Sequence, residues 1–389
     1  MGLHLYLKRL TLTVAATFAT VGLAFATTPP TQPEKGPGGA EYAITTAQVK
    51  KEAVGAGADQ VFIFRPTAGF TGPRPVVVFA HAYDAFNPLL YGAWIDHLVR
   101  RGSIVVFPRY QLDQRTVRAD YLQRATNGVK AAMAALGADA DASKVAYVGH
   151  AAGGNILANL AVNPELWKPK LLFALMPGNS WGNRYQAVKL DDLGKLPSDM
   201  IIMTLIAEID RTTRDTDARR MIRESSSIPA SHKLLIRLYT DTHGTPSMVS
   251  THLAPLAKNP DYEMDKILGV AAPPAPQLDA KGRPKKLPPG PARIVSPQPE
   301  YFGGAEVDGV DWFCFWKTLD IAMPLAFAGE DALAIRKDPN LTLMGVWSDG
   351  WPVKRFGVET PREKPAQAEA PPEPAKPAPA TAARRPVRR

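Results

Sequence analysis

The amino-acid sequence predicts an α/β protein: a mostly parallel central sheet with helices on both faces. Three observations predict it. From Gln60 onward, β-rich apolar runs alternate with runs of helical period, the pattern of a layered α/β domain. The strand candidates are apolar almost without interruption, as strands covered on both faces must be. One strand-to-helix junction, Val148-Gly149-His150-Ala151-Ala152-Gly153-Gly154, is bracketed by glycines that permit a sharp reversal of the chain.

Strands are expected at residues 61–64, 76–80, 104–107, 145–148, 171–175, 200–206 and 234–239. Helices are expected between them at 91–101, 121–136, 155–162 and 213–224, each with apolar residues three and four apart. Residues 310–319 read as a helix with a heavy aromatic face, ended or kinked by Pro324. Cys314 lies in Trp312-Phe313-Cys314-Phe315-Trp316 and reads as a buried, inert thiol. As the only cysteine, it rules out an internal disulfide framework.

The domain plan has four parts. Lys8 and Arg9 precede an apolar run from Leu10 to Phe25 that closes in Ala24-Phe25-Ala26. This reads as a signal peptide, residues 1–26, cleaved after Ala26 and directing the chain to the periplasm or outside the cell. Residues 27–46 read as a flexible leader rich in Pro, Gly and Thr. The α/β domain spans 47–361 and carries a Pro-rich surface excursion at 271–299, read as a lid or an unstructured insert. Residues 362–389 form an Ala/Pro/Arg-rich tail with too little apolar surface to order itself.

The formal charge of +9 does not point to nucleic acid. Lys8 and Arg9 of the signal-peptide run account for +2 and the tail, with seven basic and three acidic residues, for +4, so the rest of the chain holds only +3. That is too little for a basic recognition face. The tail arginines are a candidate contact for an anionic envelope surface.

The Gly149–Gly153 junction has the parts of a nucleophile elbow, in which a tight turn lifts its central residue above the sheet. That residue is Ala151, whose methyl group cannot attack a carbonyl. Here the chain resembles the α/β-hydrolase superfamily, in particular secreted esterases and lipases whose elbow reads Gly-His-Ser-Ala-Gly-Gly, over about residues 60–353. Phe79-Ala80-His81-Ala82-Tyr83 resembles the family's oxyanion loop, with Ala82 where glycine is usual. The resemblance implies Asp210, in Ala207-Glu208-Ile209-Asp210, as the acid and His243, in Asp241-Thr242-His243-Gly244, as the base. It further implies the backbone N–H groups of Tyr83 and Ala152 as oxyanion donors, and a pocket near His81, His150, Ser180 and Trp181.

Two alternatives stand beside this reading. Gly178-Asn179-Ser180-Trp181-Gly182 also fits Gly-x-Ser-x-Gly and offers Ser180 as a nucleophile, while His243 with Asp210 could activate water instead. A scaffold that attaches to the envelope through its tail is the non-enzymatic alternative. No spacing of His, Cys or acidic residues suggests a metal, no Gly-x-x-x-x-Gly-Lys run suggests a nucleotide, and no cofactor is expected. His232 and His252 have no motif around them and read as surface residues. The expectation is therefore a catalytically impaired homologue of esterases that holds an apolar ester or acyl ligand.

Overall fold

Strand β3 (Arg74–Ala80) divides the core: Val76, Val78 and Ala80 enter one apolar cluster, while Val77 and Phe79 enter another on the opposite face. Both faces of this strand are sealed, so its sequence is apolar at every position from 76 to 80. The computed structural model describes residues 26–45, 48–69, 71–178, 180–181, 187–270 and 306–359.

The remaining strands are β1 (Val49–Val54), β2 (Val61–Pro66), β4 (Ile104–Pro108), β5 (Ala140–His150), β6 (Leu171–Leu175), β7 (Ile201–Ala207), β8 (Lys233–Leu238) and β9 (Gly357–Glu359). They form one mixed sheet in the order β1-β2-β4-β3-β5-β6-β7-β8-β9. Neighbours from β4 through β8 run parallel, with Val78 opposite Tyr147 and Val148 opposite Phe173. The pairs β1–β2, β2–β4 and β8–β9 are antiparallel.

Among the described residues seven α-helices accompany the sheet: α1 (Gly92–Arg100), α2 (Tyr121–Leu136), α3 (Ala152–Val162), α4 (Thr216–Glu224), α5 (Met264–Ile267), α6 (Lys317–Phe327) and α7 (Ala332–Lys337). Trp94, Ile95 and Leu98 of α1 join Leu319 and Ala322 of α6 on the Val77/Phe79 face. Val129 of α2, Ile156 and Leu160 of α3 and Met221 of α4 cover the other. Phe79 packs edge-on to Trp94 with ring centroids 5.3 Å apart and lies 5.0 Å from Tyr91. Truncating such a ring costs about 3–5 kcal/mol.

Every expected strand and helix is present, 171–175 and 121–136 with the expected bounds and the others with shifted ends, and the structure adds two edge strands. Strand β1, Val-Lys-Lys-Glu-Ala-Val, carries charges at a sheet edge and lacks the apolar run of an inner strand. Strand β9 has only three residues. Pro324 sits inside α6 rather than ending it, and a π-helical turn, Asp311–Trp316, leads into that helix.

The leader, expected to be flexible, is pinned where it is described. Thr28 exchanges hydrogen bonds with Ser348, its N–H donating to Oγ at 2.9 Å and its carbonyl accepting from the Ser348 N–H at 3.1 Å. The Gly38 N–H donates to Asp320 at 2.8 Å, and His97 and Arg101 converge on the same buried carboxylate. Local composition could not reveal this, because Asp320 lies 282 residues further on. The signal-peptide run 1–25, the insert 271–299 and the tail 362–389 lie outside the described residues. No helix among the described residues is long and apolar enough to cross a membrane.

Candidate functional site

The chain leaves β3 for β4 on one side and later places β5 on the other, so the sheet order reverses at β3. Ligand crevices in open α/β sheets form at such a reversal, beyond the carboxyl ends of the strands. The junction between β5 and α3 lies there, with Ala151 at its tip.

Ala151 adopts φ 51°, ψ −117°, a conformation costly for a residue with a Cβ. It is held on three sides: its N–H donates to the Leu175 carbonyl at 2.9 Å, and its carbonyl accepts from Gly154 at 3.0 Å and Gly178 at 3.3 Å. The flanking glycines are there for space. A Cβ on Gly149 would lie 2.6 Å from the Gly153 backbone, and one on Gly153 would collide with the Ala80 carbonyl. The strand therefore turns into the helix at a distance only hydrogen atoms can fill.

Asp210 and His252 meet beside this turn. Asp210 Oδ2 lies 3.0 Å from His252 Nδ1, while Oδ1 accepts from the N–H groups of Thr212 at 2.7 Å and Thr213 at 3.0 Å. Burial alone pushes the Asp210 carboxyl up, but the hydrogen bond and charge of His252, with the hydrogen bonds from Thr213, bring it down to about 2. A carboxylate at Nδ1 places the ring proton there and leaves Nε2 as the basic atom. Nε2 has no hydrogen-bond partner among the described residues.

A relay joins the turn to this histidine. His150 Nε2 lies 2.8 Å from the His252 carbonyl, so it must donate, and Nδ1 must accept from the Tyr91 hydroxyl at 2.9 Å. That hydroxyl accepts in turn from the Ala82 N–H at 3.0 Å. The rings of His150 and His252 are 5.2 Å apart. Burial, then the charge of His252, pulls His150 down to about 3, so it serves as a neutral strut. The Ala82 N–H is consumed by this relay and is not a donor toward the crevice.

The expectation that His243 partners Asp210 is corrected by this geometry. His243 Nε2 lies 2.7 Å from Asp349, and its ring stacks on the exposed Trp351 at 5.7 Å. His252, read from sequence as a surface residue, takes the place instead. Both histidines follow β8, and the distinguishing signal lies in Ser250. The Ile209 N–H donates to its carbonyl at 2.9 Å and the Glu208 N–H to its hydroxyl at 3.0 Å, which stitches residues 250–252 to the acid loop.

The other candidates are dispersed. Ser180 is buried, with its hydroxyl donating to Asp217 at 2.6 Å and its N–H to the same carboxylate at 2.8 Å; no histidine among the described residues hydrogen-bonds to it. Trp181 is 60% exposed. The Tyr83 ring lies under the Arg118 guanidinium, 4.1 Å away. His81 is stacked on Tyr110 at 3.9 Å between the carbonyls of Ala82 and Arg109, and burial pulls it down to about 4. Ala152 opens α3 directly after the turn.

A cleft of about 610 Å³ opens at His252, walled by Ile209, Val249, Leu253 and Ala254 with Arg211 and Asp308 at its polar side. A separate depression lined by Lys50, Arg65 and Arg74 lies at the far end of the sheet, away from the turn. Among the described residues no group of three or more His, Cys, Asp or Glu could hold a metal ion. The chain matches no known protein-family model, and no curated protein is significantly similar to it.

Proposed function

We propose that the chain is an α/β-hydrolase-fold protein related to esterases and lipases in which acyl transfer is silenced by Ala151, and that its cleft binds a small apolar ester or acyl ligand. The observation that carries this reading is the strained φ of Ala151, kept at the tip of a glycine-bracketed turn next to a carboxylate–imidazole pair. Strand order supports it, since the turn follows β5, the acid follows β7 and the histidine follows β8. That is the chain order nucleophile, acid, histidine of this fold.

In this reading Asp210 fixes the His252 tautomer and Nε2 is the base that would accept a nucleophile's proton. The N–H groups of Ala152 and Tyr83 are the donors proposed for a developing oxyanion. With a methyl group at the tip there is no proton to remove and no oxygen to acylate. Removing such a nucleophile costs roughly 10⁶-fold in turnover, about 8 kcal/mol of barrier. What remains is a shaped cleft beside an unused base.

The test is a fluorophosphonate probe with a p-nitrophenyl ester assay run on the wild type and on Ala151→Ser. The reading expects an unlabelled, inactive wild type and a labelled, ester-cleaving variant. A wild type that is labelled, or a well-folded Ala151→Ser that stays unlabelled, sinks it.

A further inference from the structure

The cleft beside His252 carries an imbalance of charge. Among the described residues that line it, Arg211 is the only permanent cation, and its exposed guanidinium makes no hydrogen bond or ion pair with any described residue. The acids around it are each engaged. Asp210 is held by His252 and by the N–H groups of Thr212 and Thr213. Glu306 Oε1 lies 3.7 Å from Lys258 Nζ. The Asp308 carboxyl accepts from the Val310 N–H at 2.7 Å, and burial pushes it up, toward its neutral form. The rest of the wall is apolar. Ile209 and Val249 are 42% and 38% exposed, two large apolar side chains left open to solvent on one cleft, with half-buried Leu253 and Ala254 beside them.

We infer, resting on the reading of this cleft as an acyl-ligand site, that its occupant is a monocarboxylate with a short alkyl chain rather than a neutral ester, and that Arg211 is the residue that selects it. The guanidinium presents a planar fork of N–H donors that meets both oxygens of a carboxylate at once. A neutral ester offers the same fork only an uncharged carbonyl oxygen, so the two ligands differ in what Arg211 gains. One unpaired cation balances one negative charge, which favours a carboxylate over a phosphate dianion. The alkyl chain covers Ile209, Val249 and Leu253 and removes them from water. The cleft volume of about 610 Å³ lies inside the range of roughly 300–1,000 Å³ usual for small-molecule sites. Arg211 follows Asp210 directly in sequence, so its backbone belongs to the same loop that places the carboxylate–imidazole pair. It is a specificity-determining residue and takes no part in proton transfer.

The test is isothermal titration calorimetry of the full chain with octanoate, methyl octanoate and octyl phosphate, in low salt and at a pH where the phosphate is a dianion. Octanoate is expected to bind about tenfold or more tighter than methyl octanoate, the size of one charge-assisted contact. Added salt should narrow that gap in the wild type and leave the ester unchanged. Arg211→Gln should close the gap by weakening octanoate alone, whereas Val249→Ser should weaken both ligands. An ester that binds as tightly as the acid, or an Arg211→Gln variant that keeps the preference, overturns the carboxylate assignment and leaves the apolar cleft standing. Tighter binding of octyl phosphate than of octanoate overturns it as well, and binding untouched by Val249→Ser places the ligand elsewhere. If neither octanoate nor its ester binds, the cleft is not an acyl site and the inference falls with that reading, while labelling of Ala151→Ser reports separately on the silenced chemistry.

Discussion

Asp210 Oδ2 and His252 Nδ1 lie 3.0 Å apart, although 42 residues separate them in sequence and a different histidine, His243, stands in the more suggestive local motif. The pair exists because the acid loop and residues 250–252 are stitched together by the two hydrogen bonds to Ser250. Histidine identity at this site is a matter of loop routing.

The first prediction separates the two histidines. In an Ala151→Ser background, His252→Ala should abolish ester turnover by about three or more orders of magnitude, since the hydroxyl loses its base. His243→Ala in the same background should stay within about threefold of the parent. Initial rates with a p-nitrophenyl ester decide it, and the reverse ranking would restore His243 to the site.

A second concerns strain at the turn. Ala151→Gly relieves a φ of 51° that costs of order 1–3 kcal/mol, against roughly 0.5–1 kcal/mol for the added freedom of glycine in the unfolded chain. A net stabilisation of about 1 kcal/mol is expected in urea unfolding. Gly153→Ala should do the opposite and lose 3 kcal/mol or more, because the new methyl meets the Ala80 backbone, which cannot move aside.

Third, Tyr91→Phe removes one hydroxyl that serves both the Ala82 N–H and His150 Nδ1. Two buried polar groups lose their partner, so a loss of about 2–3 kcal/mol is expected in thermal or chemical unfolding. In the Ala151→Ser background the same change should also lower turnover, by loosening the strut that ends on the His252 carbonyl.

A fourth follows from protonation. Burial pulls His81 down to about 4 and His97 and His150 down to about 3, so between those values and the ordinary 6.5 the unfolded chain binds protons the folded chain does not. Stability therefore falls as pH drops below about 6.5, by up to about 1.4 kcal/mol per pH unit for each histidine. His150→Gln should reduce that slope by about one proton. Asp210, lowered to about 2, contributes stability that is present above about pH 4 and fades as pH falls toward 2, on the order of 2 kcal/mol. Urea midpoints from pH 7 to pH 3 report both.

Much of the architecture was legible because it rests on local patterns. Residues 171–175 are apolar at every position and lie buried on both faces of the sheet, and residues 121–136 carry a three-and-four spacing that α2 buries against it. The turn at Ala151 was legible for the same reason, since glycine spacing is a steric requirement written into adjacent residues. What escaped depends on distant partners. The leader is fixed by Asp320 and Ser348, the histidine that meets Asp210 is chosen by Ser250, and the Ser180 hydroxyl is claimed by Asp217 on α4. None of these pairings leaves a mark in its own stretch of sequence.

The bend that carries Ala151 keeps its unusual backbone angle whether or not anything reacts there. In the genetic code the alanine triplets GCN and the serine triplets TCN differ at their first letter, so one transversion in the gene would place an oxygen at the tip without rebuilding the scaffold. Random mutagenesis under selection for growth on an ester should therefore find this codon ahead of any other.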